Sequence, residues 1–377
     1  MKNNVTTKLR IGISTTVLDR ASENTPLDGI GIYTQSLFRE FQDCDFYIQG
    51  YVFPPVKNLS LYSSFPSSFR SFALKRILPF SKSLKLPIDI FHVTDYMSIP
   101  MTCPVITTLY DAIPFIDPGM ANSRFRSLKN FILKRSAECA DHVIAISNYS
   151  VKELVEYYGV SESKISVVYC GVEEDWIINQ PTKERIEEVL KSYSLQRGYF
   201  LNVGTLQPRK NVDRLLKAHS LLPYKIRREH PLVVVGKYGW NCDLLVAQLK
   251  EKIASGEAYW FPNLSSREEL KCLYSGSKAF IFPSLYEGFG LPVLEAFAVG
   301  VPVLTSNTTS LPEVSKGIAL EIDPLNINEM AEAIKCMLDL PDREERISAG
   351  KRRAKELSWR HCGEETLKVY RKVLSGS

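Results

Sequence analysis

The most informative stretch of this 377-residue chain is Phe282-Pro-Ser-Leu-Tyr-Glu-Gly-Phe-Gly-Leu-Pro-Val-Leu-Glu-Ala-Phe-Ala-Val-Gly-Val-Pro-Val303. The pattern predicts a buried strand that ends at Pro283, then a loop with Gly288 and Gly290. A helix follows, with Pro292 near its favoured first position. Exposed amide groups at the start of that helix, together with the positive end of its dipole, are suited to an anion such as phosphate.

Two glutamates flank the start of this predicted helix. Glu287 lies in the loop, and Glu295 lies about one turn inside the helix. A carboxylate accepts hydrogen bonds from paired sugar hydroxyls, so Glu287 suits a hexose and Glu295 suits a ribose. The alternative for Glu295 is that it only fills the first turn of a helix, where acidic residues are favoured anyway.

A second element, Tyr199-Phe-Leu-Asn-Val-Gly-Thr-Leu-Gln-Pro-Arg-Lys-Asn-Val212, places a basic pair after a strand and Gly204. Arg209 and Lys210 are predicted to begin the next helix. Two adjacent cations at that position oppose the helix dipole, so they favour an anionic partner such as a diphosphate. The alternative is a pair of solvated surface cations.

Short apolar runs rich in β-branched residues alternate with helical patterns in two series. This alternation predicts two α/β domains, each a doubly wound, Rossmann-like parallel sheet covered on both faces. Ligands bind beyond the carboxyl ends of such strands, so two domains that face each other would enclose a central cleft. The predicted strands are 9–17, 46–53, 88–93, 105–109 and 142–146, then 199–203, 232–235, 258–261, 279–282 and 301–305.

Length and composition agree with a folded protein of two domains, since 377 residues exceed what one core usually supports. Hydrophobic residues make up 45% and charged residues 24% of the chain. The polar amino terminus argues against a signal peptide, and no window approaches the roughly 18 apolar residues of a membrane span. The eight cysteines are dispersed without a C-x-x-C pair. These features predict reduced thiols and a cytoplasmic location.

The formal charge of +5 is too small to suggest nucleic-acid binding. Basic residues are nevertheless interleaved with aromatic and aliphatic ones in segments 67–87 and 124–135, a composition that suits an anionic membrane surface. The alternative is two ordinary helices with solvated basic faces. The D-x-D match at 43–45 is far in sequence from the motifs above, so no metal site is predicted there.

With these motifs the chain resembles the family 4 glycosyltransferases. Their two glutamates separated by seven residues match Glu287 and Glu295, and their glycine and Pro-Arg-Lys-Asn segment matches Gly204 and 208–211. The resemblance implies the two-domain GT-B fold and transfer with retention of anomeric configuration. It also implies an acceptor-binding domain at 1–178, a nucleotide-sugar domain at 179–357, and a terminal helix at 358–377 that crosses back to the first domain. Weaker similarity lies at 28–34, 145–150, 167–172, 233–236 and 311–314.

The resemblance also implies a role for each matched residue. Arg209 and Lys210 would neutralise the donor diphosphate without a metal cofactor, Glu287 would hold the transferred sugar, and Glu295 would hold the ribose. The other implied donor contacts are Gly29, Gly31, Gly204, Phe289, Gly290 and Leu291. Gly29 and Gly31 are predicted to lie in a loop that lets the first domain close on the phosphates.

The chain departs from the family pattern at Tyr110, where relatives often have a histidine before the aspartate that is Asp111 here. A tyrosine can bind a sugar hydroxyl but does not carry a proton near neutral pH as imidazole does. Asp111 is therefore a candidate for orienting the sugar or acceptor, with a loop-capping role as the alternative. Tyr110 and Ser147 are candidate contacts to the acceptor or sugar.

The family's usual mechanism is front-face attack, in which catalysis consists mainly of positioning and of stabilising the leaving diphosphate. The overall resemblance favours bacterial mannosyltransferases that build O-antigen or surface polysaccharide from GDP-mannose on a polyprenyl diphosphate carrier, at the inner membrane face. The alternatives are a UDP- or dTDP-sugar donor (glucose, N-acetylhexosamine or rhamnose), a nucleotide-sugar epimerase, a nicotinamide-dependent oxidoreductase and a non-catalytic carbohydrate-binding module. The oxidoreductase is disfavoured because no G-x-G-x-x-G opens a helix.

Overall fold

The computed structural model describes residues 8–20, 27–42, 46–58, 60–68, 71, 83–95, 98–116, 126–264 and 266–376. Their contacts divide the chain into two compact units. The first contains the described residues of 8–116, 126–170 and 359–376, and the second contains 171–358. The second unit thus begins earlier than the boundary predicted after residue 178. Residues 43–45 and most of the basic segment 67–87 lie outside the described residues.

The first unit is built on a seven-stranded parallel sheet with the order β3-β2-β1-β4-β5-β6-β7. Every residue of β4, β5 and β6 is buried, which is the pattern of central strands covered on both faces. The strands are β1 Arg10–Ser14, β2 Tyr47–Val52, β3 Tyr62–Ser64, β4 Ile90–Val93, β5 Val105–Leu109, β6 His142–Ala145 and β7 Ile165–Val167. Its helices are α1 Thr16–Arg20, α2 Gly29–Gln42, α3 Ile113–Ile116, α4 Arg126–Glu138 and α5 Asn148–Glu153, the last continued by a π-helical turn at Leu154–Tyr158.

The second unit is built on a six-stranded parallel sheet with the order β10-β9-β8-β11-β12-β13. Its strands are β8 Phe200–Val203, β9 Leu232–Val235, β10 Ala258–Phe261, β11 Ala279–Phe282, β12 Val303–Ser306 and β13 Leu320–Ile322. Its helices are α6 Glu174–Ile178, α7 Lys183–Ser192, α8 Val212–Ser220, α9 Tyr224–Glu229, α10 Asp243–Ala254, α11 Arg267–Gly276, α12 Leu291–Val299, α13 Leu311–Ser315, α14 Ile327–Cys336 and α15 Arg343–Glu356. The predicted fold class, two doubly wound parallel sheets, is confirmed.

The last helix, α16 Trp359–Ser375, belongs to the first unit. Its Tyr370 hydroxyl lies 2.7 Å from Nδ1 of His92 at the sheet, and its Trp359 ring meets the Tyr33 ring edge-on at 5.8 Å. These contacts explain why the helix carries a buried stripe. The burial does not extend to the end of the helix, where Leu374 is 38% exposed.

Helix α4 contains the described part of the second basic segment, 124–135, and only some of its side chains are exposed. Phe131 is 48% exposed with the Arg135 guanidinium 5.6 Å from its ring, but Leu133 is buried in the core of the first unit. Leu133 is therefore part of the core, and contact of this segment with a membrane stays a prediction. In the part of the chain that the structure describes, no helix is both long enough and apolar enough to cross a membrane. The seven cysteines in that part are all unpaired, four of them buried.

Candidate functional site

The loop after β8 positions the predicted basic pair. Gly204 has a φ of 155°, a conformation that side-chain-bearing residues rarely adopt, and its amide donates to the Val235 carbonyl at 2.8 Å. Arg209 and Lys210 then lie in a single 3₁₀ turn, Pro208–Lys210, rather than in the next helix as predicted. The reason is Asn211, whose φ of 60° ends the turn before α8 begins.

Asn211 was not among the predicted site residues, although it fixes the basic turn in place. Its side-chain amide is buried and donates to the carbonyls of Pro283 at 3.0 Å and Pro324 at 2.7 Å. The Arg209 carbonyl accepts from the Leu285 amide at 2.8 Å, which joins the basic turn to the loop after β11. The carboxyl ends of β8 and β11 therefore carry one connected loop structure.

The loop after β11 carries Glu287 and leads into α12. Gly290 has a φ of 116°, and a Cβ atom there would lie 2.7 Å from Leu311, so the tight turn into the helix requires glycine. The buried Ser310 hydroxyl lies 2.9 Å from the Glu287 carbonyl and 2.8 Å from the Phe289 carbonyl. Leu291 is the first residue of α12. The predicted residues Glu287, Phe289, Gly290 and Leu291 thus lie in one braced loop and the helix start that follows it.

Three of the predicted residues meet as a buried charge cluster. Nζ of Lys210 lies 2.6 Å from Oε1 of Glu287, and Nη1 of Arg209 lies 2.9 Å from Oε2. The side chains of Glu287, Lys210 and Arg209 are 9%, 11% and 23% exposed. Lys210 also lies 4.8 Å above the Phe282 ring, which favours its cationic form. The arrangement offers two fixed cations to an anion and one carboxylate to hydroxyl groups.

Burial and charge act against each other in this cluster. Burial alone raises the pKa of Glu287, but the charges of Lys210 and Arg209 outweigh it and hold the pKa at about 2. Burial lowers the pKa of Lys210 to about 8, although the carboxylate of Glu287 opposes this shift. Glu287 is therefore ionised at neutral pH, whereas the pKa of Lys210 lies only slightly above neutral pH.

Glu295 lies in α12, as predicted, but Arg209 and Lys210 pair with Glu287 and not with Glu295. It is partly exposed, and its Oε2 accepts a hydrogen bond from the buried Tyr274 hydroxyl at 3.0 Å. Burial raises its pKa to about 7. The sequence motif does not reveal that Tyr274 contacts Glu295, because a tyrosine on the apolar side of a helix cannot be distinguished from an ordinary core residue.

The remaining predicted residues lie in the first unit. Gly29 and Gly31 form the first turn of α2 and are not in a loop, because Oδ1 of Asp28 caps the helix by accepting from the Gly31 amide at 2.9 Å. Gly31 has no room for a side chain because a Cβ atom would lie 2.8 Å from Leu27, whereas Gly29 has free space around it.

The two acceptor candidates and Asp111 lie at the carboxyl ends of β5 and β6. Tyr110 is buried, and its hydroxyl donates to the Thr94 carbonyl at 2.6 Å. Oδ1 of Asp111 accepts from the Ile113 amide at 3.1 Å, which is the loop-capping contact considered above. Ser147 is buried and caps α5 by accepting from the Ser150 amide at 3.1 Å. Each side chain thus has a structural contact, and a sugar contact by any of them stays a prediction.

Two doubly wound parallel sheets, the second carrying a basic turn and a glutamate pair at its carboxyl edge, define a glycosyltransferase of the GT-B fold. The chain belongs to glycosyltransferase family 4. The family model described as Glycosyltransferase Family 4 matches residues 30–176, and the model described as Glycosyl transferases group 1 matches residues 182–354.

Relatives and solved structures agree with this assignment. O-antigen chain mannosyltransferase B of Escherichia coli is 34% identical over 271 residues, which cover 71% of this chain and 70% of that protein. Serotype-specific mannosyltransferase WbdA of Escherichia coli is 28% identical over 284 residues, and the match spans only 34% of its length. Sucrose-phosphate synthase from Thermosynechococcus elongatus superposes with a TM-score of 0.76 over 98% of this chain and 100% of that chain, at 17% identity.

The pKa of Lys210 predicts how activity depends on pH. As the pH rises through about 8, the free enzyme loses this buried cation, so kcat/KM for the donor is expected to fall. The Lys210→Arg variant keeps its charge, because a guanidinium stays protonated, and its alkaline fall should lie at higher pH. The measurement is kcat/KM between about pH 6.5 and about pH 10. An identical alkaline fall in both enzymes would assign it to another group.

Proposed function

We propose that this enzyme transfers mannose, with retention of configuration, from GDP-mannose to a lipid-linked glycan during O-antigen or surface-polysaccharide synthesis. The observation that carries the chemistry is the Arg209–Lys210–Glu287 cluster at the carboxyl edge of the second sheet. The choice of mannose is supported by the names of its relatives, among them O-antigen chain mannosyltransferase B. That relative is aligned over 70% of its length.

The cluster suggests how the donor would be held. In the structure, Glu287 pairs with both cations. The two phosphates of a donor would supply other anionic oxygens to Arg209 and Lys210, so the Glu287 oxygens would become available to hydroxyls of the sugar. The cations would then stabilise the charge that develops on the departing diphosphate, without a metal ion.

The acceptor is proposed from chemistry and from the relatives. A glycan on a polyprenyl diphosphate would stay at the membrane surface, and the basic, aromatic segments 67–87 and 124–135 have a composition that suits peripheral contact with anionic lipid on the cytoplasmic side. In the described part of the second segment, the exposed Phe131 and Arg135 of α4 support this proposal.

Donor choice is tested by thermal shift and by turnover. GDP-mannose is expected to raise the melting temperature more than UDP-glucose, UDP-N-acetylglucosamine or dTDP-rhamnose at equal concentration, because a ligand that binds only the folded state stabilises it. With a short mannose-containing acceptor, NMR of the product should show the α-linkage that retention of GDP-α-mannose gives. A larger shift with a UDP- or dTDP-sugar would contradict the choice of donor, and sugar inversion without acceptor would indicate an epimerase.

A further inference from the structure

The carboxylate of Glu295 is held from the protein side by one hydroxyl. Oη of Tyr274 lies 3.0 Å from Oε2 of Glu295 and 3.4 Å from the Pro292 carbonyl. A phenol has one proton to donate, and the shorter distance to a charged acceptor directs it to Oε2. Among the described residues, Tyr274 is the one hydrogen-bond partner of this carboxylate, so Oε1 is left for a ligand.

The Tyr274 ring is fixed so that its hydroxyl has one direction. Tyr274 is fully buried in α11, with the Trp176 ring edge-on at 5.6 Å and the Phe280 ring at 5.1 Å. Trp176 is in turn held in place by Lys271, whose ammonium pairs with Asp175 and lies 5.9 Å above the indole ring. A donor held this firmly fixes the rotamer of the acceptor it meets.

The charges around Glu295 are few. Arg267 of α11 lowers the pKa of Glu295 and Glu173 raises it, and these two residues pair with each other, so their effects largely offset. Burial leaves the pKa of Tyr274 well above its ordinary value, so the phenol remains a donor at all pH values of interest. The Tyr274 hydrogen bond is therefore the main specific contact that favours the ionised form of Glu295.

We propose that Tyr274 is a positioning residue for donor binding: its hydroxyl holds Oε2 of Glu295, so that Oε1 is presented to the ribose hydroxyls of the nucleotide. This inference rests on the proposed role of Glu295 as the ribose contact. It adds a residue from a different helix, α11, that touches no substrate and acts only through the carboxylate.

The test compares two nucleotides that differ only in the ribose hydroxyls. The affinities of the wild-type enzyme for GDP and 2′,3′-dideoxy-GDP are measured by calorimetry, with UDP and dideoxy-UDP in parallel. Wild type should prefer the hydroxylated nucleotide by about tenfold or more, which is typical of a hydrogen bond to a charged group. Tyr274→Phe should lose most of this preference while binding of the dideoxy nucleotide stays within about twofold.

A matched control separates positioning from general damage to the fold. Tyr199 is also fully buried in the second unit, and its hydroxyl donates to the Leu273 carbonyl, beside Tyr274. Tyr199→Phe removes a comparable hydrogen bond without touching Glu295, and its ribose preference should match wild type. An equal loss of preference in both variants would overturn the proposal.

The Glu295→Gln variant distinguishes the two ways in which the experiment can fail. Loss of ribose preference in Glu295→Gln but not in Tyr274→Phe would refute the role of Tyr274 alone. An unchanged preference in Glu295→Gln would refute the ribose role of Glu295, on which the inference rests.

A second substitution keeps the test available if Tyr274→Phe does not fold. Replacement of Tyr274 by 3,5-difluorotyrosine retains the ring and makes the phenol a stronger donor. The ribose preference should increase with pH as Glu295, with a pKa of about 7, ionises. Fluorination should move that increase to lower pH, and Tyr274→Phe should move it to higher pH. A midpoint unaffected by fluorination would contradict the proposal.

Discussion

Glu287→Ala is expected to lower kcat/KM by about 100- to 1,000-fold, the scale seen when one preorganised polar group is removed from an active site. The variant loses the proposed sugar contact and also leaves Arg209 and Lys210 without the carboxylate that now lies 2.9 Å and 2.6 Å from them. Burial already lowers the pKa of Lys210 to about 8, and without Glu287 it should fall further. Steady-state kinetics and a pH profile measure both effects.

The same substitution should destabilise the protein by about 3 kcal/mol or more, because it leaves charge buried without its partner. Stability alone must therefore be separated from chemistry, and the chain offers a matched control. Glu257 is likewise buried between an arginine and a lysine, Arg227 and Lys252, but it precedes β10 at the amino end of the same sheet. Glu257→Ala should lose comparable stability in urea unfolding and keep turnover once it is saturated with donor and folded.

Two outcomes of this comparison would contradict the catalytic role of Glu287. Equal losses of activity in Glu287→Ala and Glu257→Ala would mean that Glu287 is only structural. Sugar binding that stays largely intact in Glu287→Ala, together with absent turnover in wild type, would favour the carbohydrate-binding alternative. Glu287→Gln keeps the shape and hydrogen-bonding capacity but not the charge, so activity between those of wild type and Glu287→Ala would divide the effect between hydroxyl binding and neutralisation of the cations.

The sequence predicted most strands of both sheets well. The strands β5, β9, β10 and β11 begin and end at the predicted residues, because these short apolar runs are bounded by turn residues. The strands β3, β7 and β13 were not predicted. Each has three residues, is only partly buried and lies at a sheet edge, so its pattern is too short to distinguish from a loop.

The candidate site was predicted in its residue types but not in its contacts. Spacing and the neighbouring glycines indicated Arg209, Lys210, Glu287 and Glu295. The ion pairs of Glu287 join residues 77 and 78 positions apart, and no local pattern reports such a contact. Gly29 and Gly31 were predicted to lie in a loop but begin a helix, because the carboxylate of Asp28 caps that helix.

Lys210→Met is expected to weaken GDP binding by about 10- to 100-fold, the range for a hydrogen bond with a charged group. Methionine keeps much of the apolar stem and removes the ammonium, which lies 4.8 Å above the Phe282 ring. GMP, which lacks the second phosphate, should lose less affinity than GDP, and the ratio of the two affinities is measured by calorimetry.

Turnover of Lys210→Met gives a second measurement. Turnover in EDTA should remain in wild type and fall in the variant, mainly through kcat, because charge on the diphosphate grows in the transition state.

Arg209→Met should have a smaller effect than Lys210→Met, because the Arg209 side chain is 23% exposed against 11% for Lys210, and solvent screens the more exposed charge. Lys252→Met, at the amino end of the sheet, removes a lysine from the Glu257 cluster and should leave the ratio of GDP to GMP affinity unchanged. An equal loss of affinity for GDP and GMP in Lys210→Met would place the cation away from the second phosphate.

Because Glu287 pairs with both cations, the effects of Lys210→Met and Arg209→Met should not add in the double variant, whereas either should add to Lys252→Met.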